Sequence, residues 1–472
     1  MRITNLLSSC VCFALFAVVS LLGYLQVDLA QAQDKINTTT IETYNDYGYG
    51  MYISGSGSAT NFGTVITHGG YAFGMYADSN TSALNETAGK IITYGIRAYG
   101  MHAYGSSSHI TNKGEITTSN QYAYGMSASS GAAAENWGTI TTSGIYAYGM
   151  YATVNSSVQN CGTITTGKKD DSTYGNTAYG MYAYNNSQAL NEGVVITYGN
   201  DACGMLVHTN SRAENQGTVA TMGTYAFGMY AKTSSVVENC GTITTGKEDN
   251  STYGNTAYGM YAYNNSRALN EDGGTIKTFG SYACGMLAQN TSSAKNFGDI
   301  STTGNYAYGM YAHTGSRIEN QGIITTGKEG SASYGNNAYG MYAYSGSYAV
   351  NAGTINTLGN NACGMASHTG SKAENLGTIT TSGIYAYGMY ASTGSSTAYN
   401  NGDISTTGNY AYGMYASNNS TITNESTGFI TTYGKLAHGM YADDSSTVTN
   451  ESGGTITTYG KEAHVMYLYD SI

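Results

Sequence analysis

The sequence predicts an all-β protein, a single-stranded parallel β-helix (β-solenoid) of about 16 coils, and three observations carry that prediction. A Met recurs seventeen times from Met51 to Met466; thirteen of the sixteen spacings are 24–26 residues and the other three are 31. Each interval holds three short segments rich in Thr, Ile, Val and Tyr, separated by Gly, Ser or Asn, and none shows the i, i+3, i+4, i+7 apolar pattern of a helix. Gly is 64 of 472 residues and Pro is absent, so glycine punctuates turns without the every-third-residue rule of collagen. Three short strands in each interval make one coil. Coils stacked ~4.8 Å apart would give a rod roughly 75–80 Å long.

The chain begins with Arg2, an apolar run from Leu6 to Leu25, and the small-residue triplet Ala30-Gln31-Ala32. This is the layout of a secretory signal peptide, residues 1–32, cut after Ala32. The competing reading is an uncleaved anchor, since the run is long enough to span a bilayer. Leu7-Ser8-Ser9-Cys10 precedes most of the apolar run, which argues against a lipidation site. Residues 33–46 read as an N-terminal cap or lead-in, and 47–472 as the solenoid. No later stretch is apolar enough for a membrane helix, so the mature chain is expected to carry no integral span.

One full unit runs from Ala147-Tyr148-Gly149-Met150-Tyr151-Ala152 to Thr163-Ile164-Thr165-Thr166-Gly167. The position of Ile164 is always Ile or Val, so it should face inward, and Thr163 and Thr165 outward. Met150 is nearly invariant among units and should be core, with Ala152 beside it. The same two-residue count puts Tyr148 inside, unless a bulge turns it out. Tyr151 varies freely and should face solvent. Asn160 has an equivalent in every interval from Asn61 to Asn450, usually with Gly two residues on. Asn and Gly tolerate left-handed backbone angles, which suggests a turn. Amides stacked one coil apart can also form a structural ladder along the rod. The 31-residue intervals start at Met150, Met229 and Met310 and add polar loops near 168–175, 247–254 and 328–335. These loops should protrude from one side, about 14 Å apart, as recognition elements.

Charged residues are only 10% of the chain and the formal net charge is −11, with no basic cluster, which excludes a nucleic-acid binder. Aromatics at 12% exclude a charged, disordered polymer. Of seven Cys, Cys10 and Cys12 belong to the leader. Cys161 and Cys240 share one repeat position; Cys203, Cys284 and Cys363 share another. Neighbours within each set lie about three coils, or ~14 Å, apart, beyond the ~7 Å reach of a disulfide. They read as small buried apolar residues. His208, His313 and His368 share a position in non-adjacent coils. His438 and His464 are one coil apart, but nothing completes a metal set. Asp170-Asp171 and Glu248-Asp249 sit in the inserted loops as solvated pairs. No catalytic, cofactor-binding or metal-ligating residue is assigned, and no cofactor is expected. The outward pairs Thr139/Thr141, Thr163/Thr165 and Thr242/Thr244 make a partial T-x-T array, interrupted by Glu115, Asp299 and Asp403.

The leader followed by repeated A-Y-G-M-Y-A … N-x-G-T-I-T-T-x-G resembles the passenger regions of bacterial autotransporters and related large surface proteins. The resemblance covers Tyr47 to the end. It implies a right-handed parallel β-helix, export through a C-terminal β-barrel, and adhesion. The present sequence ends six residues after Met466 without a barrel, which reads as a truncated passenger or a freely secreted rod. The expected function is therefore that of a non-catalytic adhesin or display rod, extracellular or on the cell surface in association with the outer membrane. Host glycans or surface proteins are the expected partners, with self-association through an exposed last coil. The rival readings are a polysaccharide-active β-helix enzyme and a surface material, either Tyr-rich and self-assembling or ice-binding through its Thr array.

Overall fold

A computed structural model of the chain describes residues 34–167, 177–246, 256–327 and 335–469. The expected signal peptide and nearly all of the three inserted loops lie outside the described residues, as do Asp170, Asp171, Glu248 and Asp249. One coil explains the others. Tyr148–Thr153, Ser157–Asn160 and Thr163–Thr166 are strands, here called the Met, Asn and Ile strands. Each pairs in parallel and in register with its equivalent one coil away: Met150 with Met181, Asn160 with Asn191, Ile164 with Val195. Three sheets result, each of seventeen strands among the described residues. The first coil starts before Tyr47, because Lys35–Asn37 and Thr40–Thr43 already pair with the coil that follows. Among the described residues no helix is long and apolar enough to cross a membrane.

The interior follows from a strand period of two. Met150, Ala152, Val158, Asn160, Ile164 and Thr166 are all buried, as are their equivalents between the two end coils. Burying each Ile and Met stabilises the coil by about 1.5–3 kcal/mol. Asn37 to Asn450 form a continuous ladder in which each Nδ2 donates to the next Oδ1 at 2.7–2.8 Å. The amide donates as well to the carbonyl two residues on, as Asn136 does to Gly138 at 3.2 Å. A buried amide must be satisfied in this way, and the periodic stack does it without water. A second ladder was not foreseen. From Ser156 to Ser371 each serine N–H donates to the next serine Oγ at 3.1–3.2 Å.

Two expectations are corrected. Asn160 is an extended strand residue facing the core, and the left-handed positions fall elsewhere, at Tyr146 (φ 55°), Val154 (φ 55°) and Asn155 (φ 57°). Gly162 is required by close approach, since a Cβ there would lie 2.1 Å from Gly138 O in the preceding coil. The second correction is Tyr148, which faces out. Gly149 and Met150 are both buried, a break in the alternation such as a β-bulge makes. A Cβ on Gly149 would sit 2.3 Å from Ile164 Cγ2 and 2.5 Å from Gly180 O, so only glycine fits against the core there. With Gly149 pointing in, Tyr148 and Tyr151 both point out.

Candidate functional site

That one-residue shift builds the dominant surface feature of the rod. Two rows of outward rings run along the Met sheet, at the positions of Tyr148 and Tyr151. In the first row, Tyr49, Phe73, Tyr99, Tyr124, Tyr148 and Tyr179 stack with centroids 4.5–5.3 Å apart. The spacing is close to the strand spacing of ~4.8 Å, so the backbone ladder itself sets the ring stack. Rings of the two rows also touch, as Tyr148 and Tyr151 do at 5.6 Å. Each stacked pair is worth about 0.5–1.5 kcal/mol beyond its burial. Burial pushes the Tyr99 and Tyr148 hydroxyls up to about 12, so the face is uncharged at neutral pH.

A third, discontinuous aromatic row occupies the turn before many of the Met strands. Tyr47 stacks on Tyr71 at 4.9 Å and Tyr122 on Tyr146 at 5.1 Å. Arg97 lies between these pairs, its guanidinium carbon 5.5 Å from the Tyr71 ring and 5.3 Å from the Tyr122 ring. All five residues hold φ between 55° and 58°. The left-handed region costs a bulky residue about 1–2 kcal/mol, which stacking and the coil-to-coil hydrogen bond from Tyr47 N to Gly70 O (2.9 Å) offset. Most of these rings are exposed.

The first two rows are interrupted together at three places. Cys203 and Leu206, Cys284 and Leu287, and Cys363 and Ala366 replace the rings, three coils apart. At the first, a depression of about 260 Å³ opens between Tyr179 and Tyr182 of the preceding coil and Phe227 and Tyr230 of the following one. Asp201 borders one end; His208 and Lys232 border the other. His208 Nδ1 is 2.7 Å from Thr209 Oγ1. Burial, then the Lys232 charge, lowers the affinity of His208 for a proton. At the third interruption the space is filled. His368 packs on Tyr342 at 5.2 Å and edge-on against Tyr390 at 5.0 Å. Burial brings its pKa down to about 4.

The three cysteines at these interruptions are buried, and each thiol donates to the carbonyl two residues on, at 3.0–3.1 Å. Burial pushes all three thiols up, away from the reactive thiolate form. The expectation of burial fails at the other cysteine position: Cys161 is half-buried and Cys240 exposed. Cys161 donates to Glu192 Oε2 at 3.1 Å, and burial together with that carboxylate raises it to about 12. His438 and His464 stack at 5.2 Å, and His438 Nδ1 accepts from the His464 N–H at 3.0 Å. Among the described residues no group of three or more His, Cys, Asp or Glu is arranged to hold a metal. Charge is concentrated on the Asn sheet as ion pairs such as Lys295–Glu319 at 3.0 Å and Arg212–Glu214 at 3.1 Å, each worth little. The outward Thr of the Ile strands are half-exposed, as the period predicts.

Sequence reasoning placed Tyr151 outside and left Tyr148 undecided, so it missed the double ring row. The signal was Gly149, a glycine directly before the Met in every unit but the last. The family described as the BigA third pectate lyase-like domain matches residues 67–194, 172–274, 271–354 and 348–464, windows that tile the repeats. No curated protein matches the chain.

Proposed function

We propose, from the premise that this chain belongs to the BigA third pectate lyase-like domain family, that it is the non-catalytic contact rod of a bacterial surface protein. Its partners are host glycans or surface proteins. The observation that carries the reading is the continuous aromatic face on a rigid scaffold. Rings that are already stacked lose little conformational entropy on binding. Tyr is a residue that contact surfaces favour, because it presents an apolar body with a polar tip. The array repeats coil after coil, so contacts of modest affinity add by multivalency. Charged residues of the described chain stand as exposed pairs and single ions, which suits contact better than acid–base chemistry.

The test is attachment of beads coated with residues 33–472 to epithelial cells and to mucin. Attachment should exceed that of beads carrying an inert protein. It should fall when the exposed edge-row rings Tyr225, Tyr282 and Tyr306 are changed to Ala together. Equal attachment by coated and control beads would overturn the contact reading. Incubation with polygalacturonate should leave the polymer uncut; cleavage products would replace the contact rod with an enzyme.

A further inference from the structure

We infer that the interruption at Cys203 and Leu206 is a binding subsite for one neutral pyranose ring, formed where the aromatic stack omits a ring and a guest can replace it. The inference rests on the contact-rod reading and gives it a ligand class and a location.

The walls are fixed by the fold. Tyr179 is in register with Cys203, and Cys203 with Phe227, so the flanking rings stand two coils apart, about 9.6 Å. From Tyr49 to Tyr179 the first row fills every rung with a ring, at 4.5–5.3 Å. The gap therefore takes one flat ring between two aromatic faces. Those faces carry the negative side of the ring quadrupole. The weakly positive C–H patch of a pyranose complements them. Leu206, 8% exposed, forms the floor.

The ends decide between a sugar and an apolar ring. Asp201 at one end accepts hydrogen bonds; Lys232 at the other donates them, and His208 lies beside it. A hydroxylated ring can pair with both ends. A purely aromatic guest gains no hydrogen bond at either end. Because the two charged ends have opposite sign, the site carries no net charge that would select an anionic sugar, and a neutral one fits it. The third interruption provides an internal contrast. Ala366 leaves the larger gap, yet His368 has moved into it against Tyr342 and Tyr390. At the second, Gln289 accepts from Tyr261 OH across the edge of the gap. At the first, the depression of about 260 Å³ is open.

The experiment uses residues 33–472 and saturation-transfer NMR with methyl β-glucopyranoside, methyl β-galactopyranoside and methyl α-mannopyranoside, with p-cresol as an aromatic probe. Leu206→Tyr restores the residue that most coils carry at this position, so the coil should fold, and its β-sheet circular dichroism checks that. Ala366→Tyr makes the matching change at the plugged interruption. At least one pyranoside should receive saturation in the unsubstituted protein. Leu206→Tyr should weaken it about tenfold or more, and Ala366→Tyr should leave it unchanged. Equal binding in all three proteins would overturn the subsite and leave the contact rod standing, since the sugar would then bind elsewhere on the face. No pyranoside signal, or p-cresol alone lost in Leu206→Tyr, would overturn the sugar assignment; bead attachment then decides the contact rod separately.

Discussion

From Tyr49 to Tyr179 the first aromatic row is unbroken, whereas from Cys203 to Tyr412 it is interrupted every third coil. The core beneath the two regions uses the same inward positions, with Val207 and Ser367 standing at two interruptions where the continuous region has Ala152. Met150 and Met205 are both fully buried, as are Ile164 and Val219. The Asn ladder runs through both without a change in spacing. The main difference therefore lies in the outward residues of the Met strand. A β-solenoid separates scaffold from surface this cleanly because the strand period assigns alternate residues to each. Surface positions can vary one coil at a time while the inward set stays constant.

If the core is shared, damage to it should cost the same in both regions. Gly149→Ala and Gly204→Ala each drive a Cβ into the core, 2.3 Å from Ile164 Cγ2 and 2.2 Å from Val219 Cγ1 respectively. Each should destabilise the rod by about 3 kcal/mol, the upper part of the overpacking range, as read from urea unfolding midpoints. A much smaller loss at Gly204 would mean that the interrupted region has a looser core, and the comparison would fail.

The surface should behave in the opposite way. Tyr124 is stacked on both sides, at 4.5 and 4.9 Å, so Tyr124→Ala should cost about 2 kcal/mol. Cys203→Tyr supplies the missing ring between Tyr179 and Phe227 and should gain about 0.5–1.5 kcal/mol. Loss at Cys203 instead of gain would show that the notch is a packed feature of the coil, with no vacant rung to fill.

Much of this was legible in the sequence. The Ile and Met spacings gave the coil, and the recurrent Asn gave the ladder, because an inward position repeated in every coil leaves a periodic trace. Tyr148 was harder. Its side is set by one extra inward residue, Gly149, and a residue without a side chain leaves no hydrophobic mark. The notches were present in the sequence as Cys203, Cys284 and Cys363. Read with Tyr148 inside, they looked like core substitutions; with Tyr148 outside, they are missing rings. The left-handed turn residues escaped for another reason. Tyr146, Arg97 and Leu436 are poor candidates by type, and only the stacking and coil-to-coil bonding of the neighbours holds them there.

A smaller effect tests whether the two regions share their interior hydroxyls. Thr142 under the continuous row and Thr221 under the first notch each bury an Oγ1 without a hydrogen-bond partner. Replacing either by Val removes an unsatisfied group at nearly constant shape. Both variants should be neutral or more stable by up to about 1 kcal/mol. Opposite signs at the two sites would show that one hydroxyl has a partner that the other lacks.

A pH-dependent effect concerns one histidine from each region. His102 stands in the second row beside Tyr99, at 5.2 Å, and His368 fills the third notch. Burial lowers both to about 4, against ~6.5 for a free imidazole. The folded rod thus resists protonation while the unfolded chain accepts protons from about pH 6.5 downward. The unfolded state then binds more protons, so stability rises with pH across this window and falls on acidification from about 6.5 to about 4. Below about 4 the folded rings protonate too, and the loss from this source levels off. The ring proton shifts of both residues should titrate near pH 4 in NMR. If His102 stays low while His368 titrates above 6, the plug is open to solvent. The third interruption would then be a notch like the first, and the contrast between them would disappear.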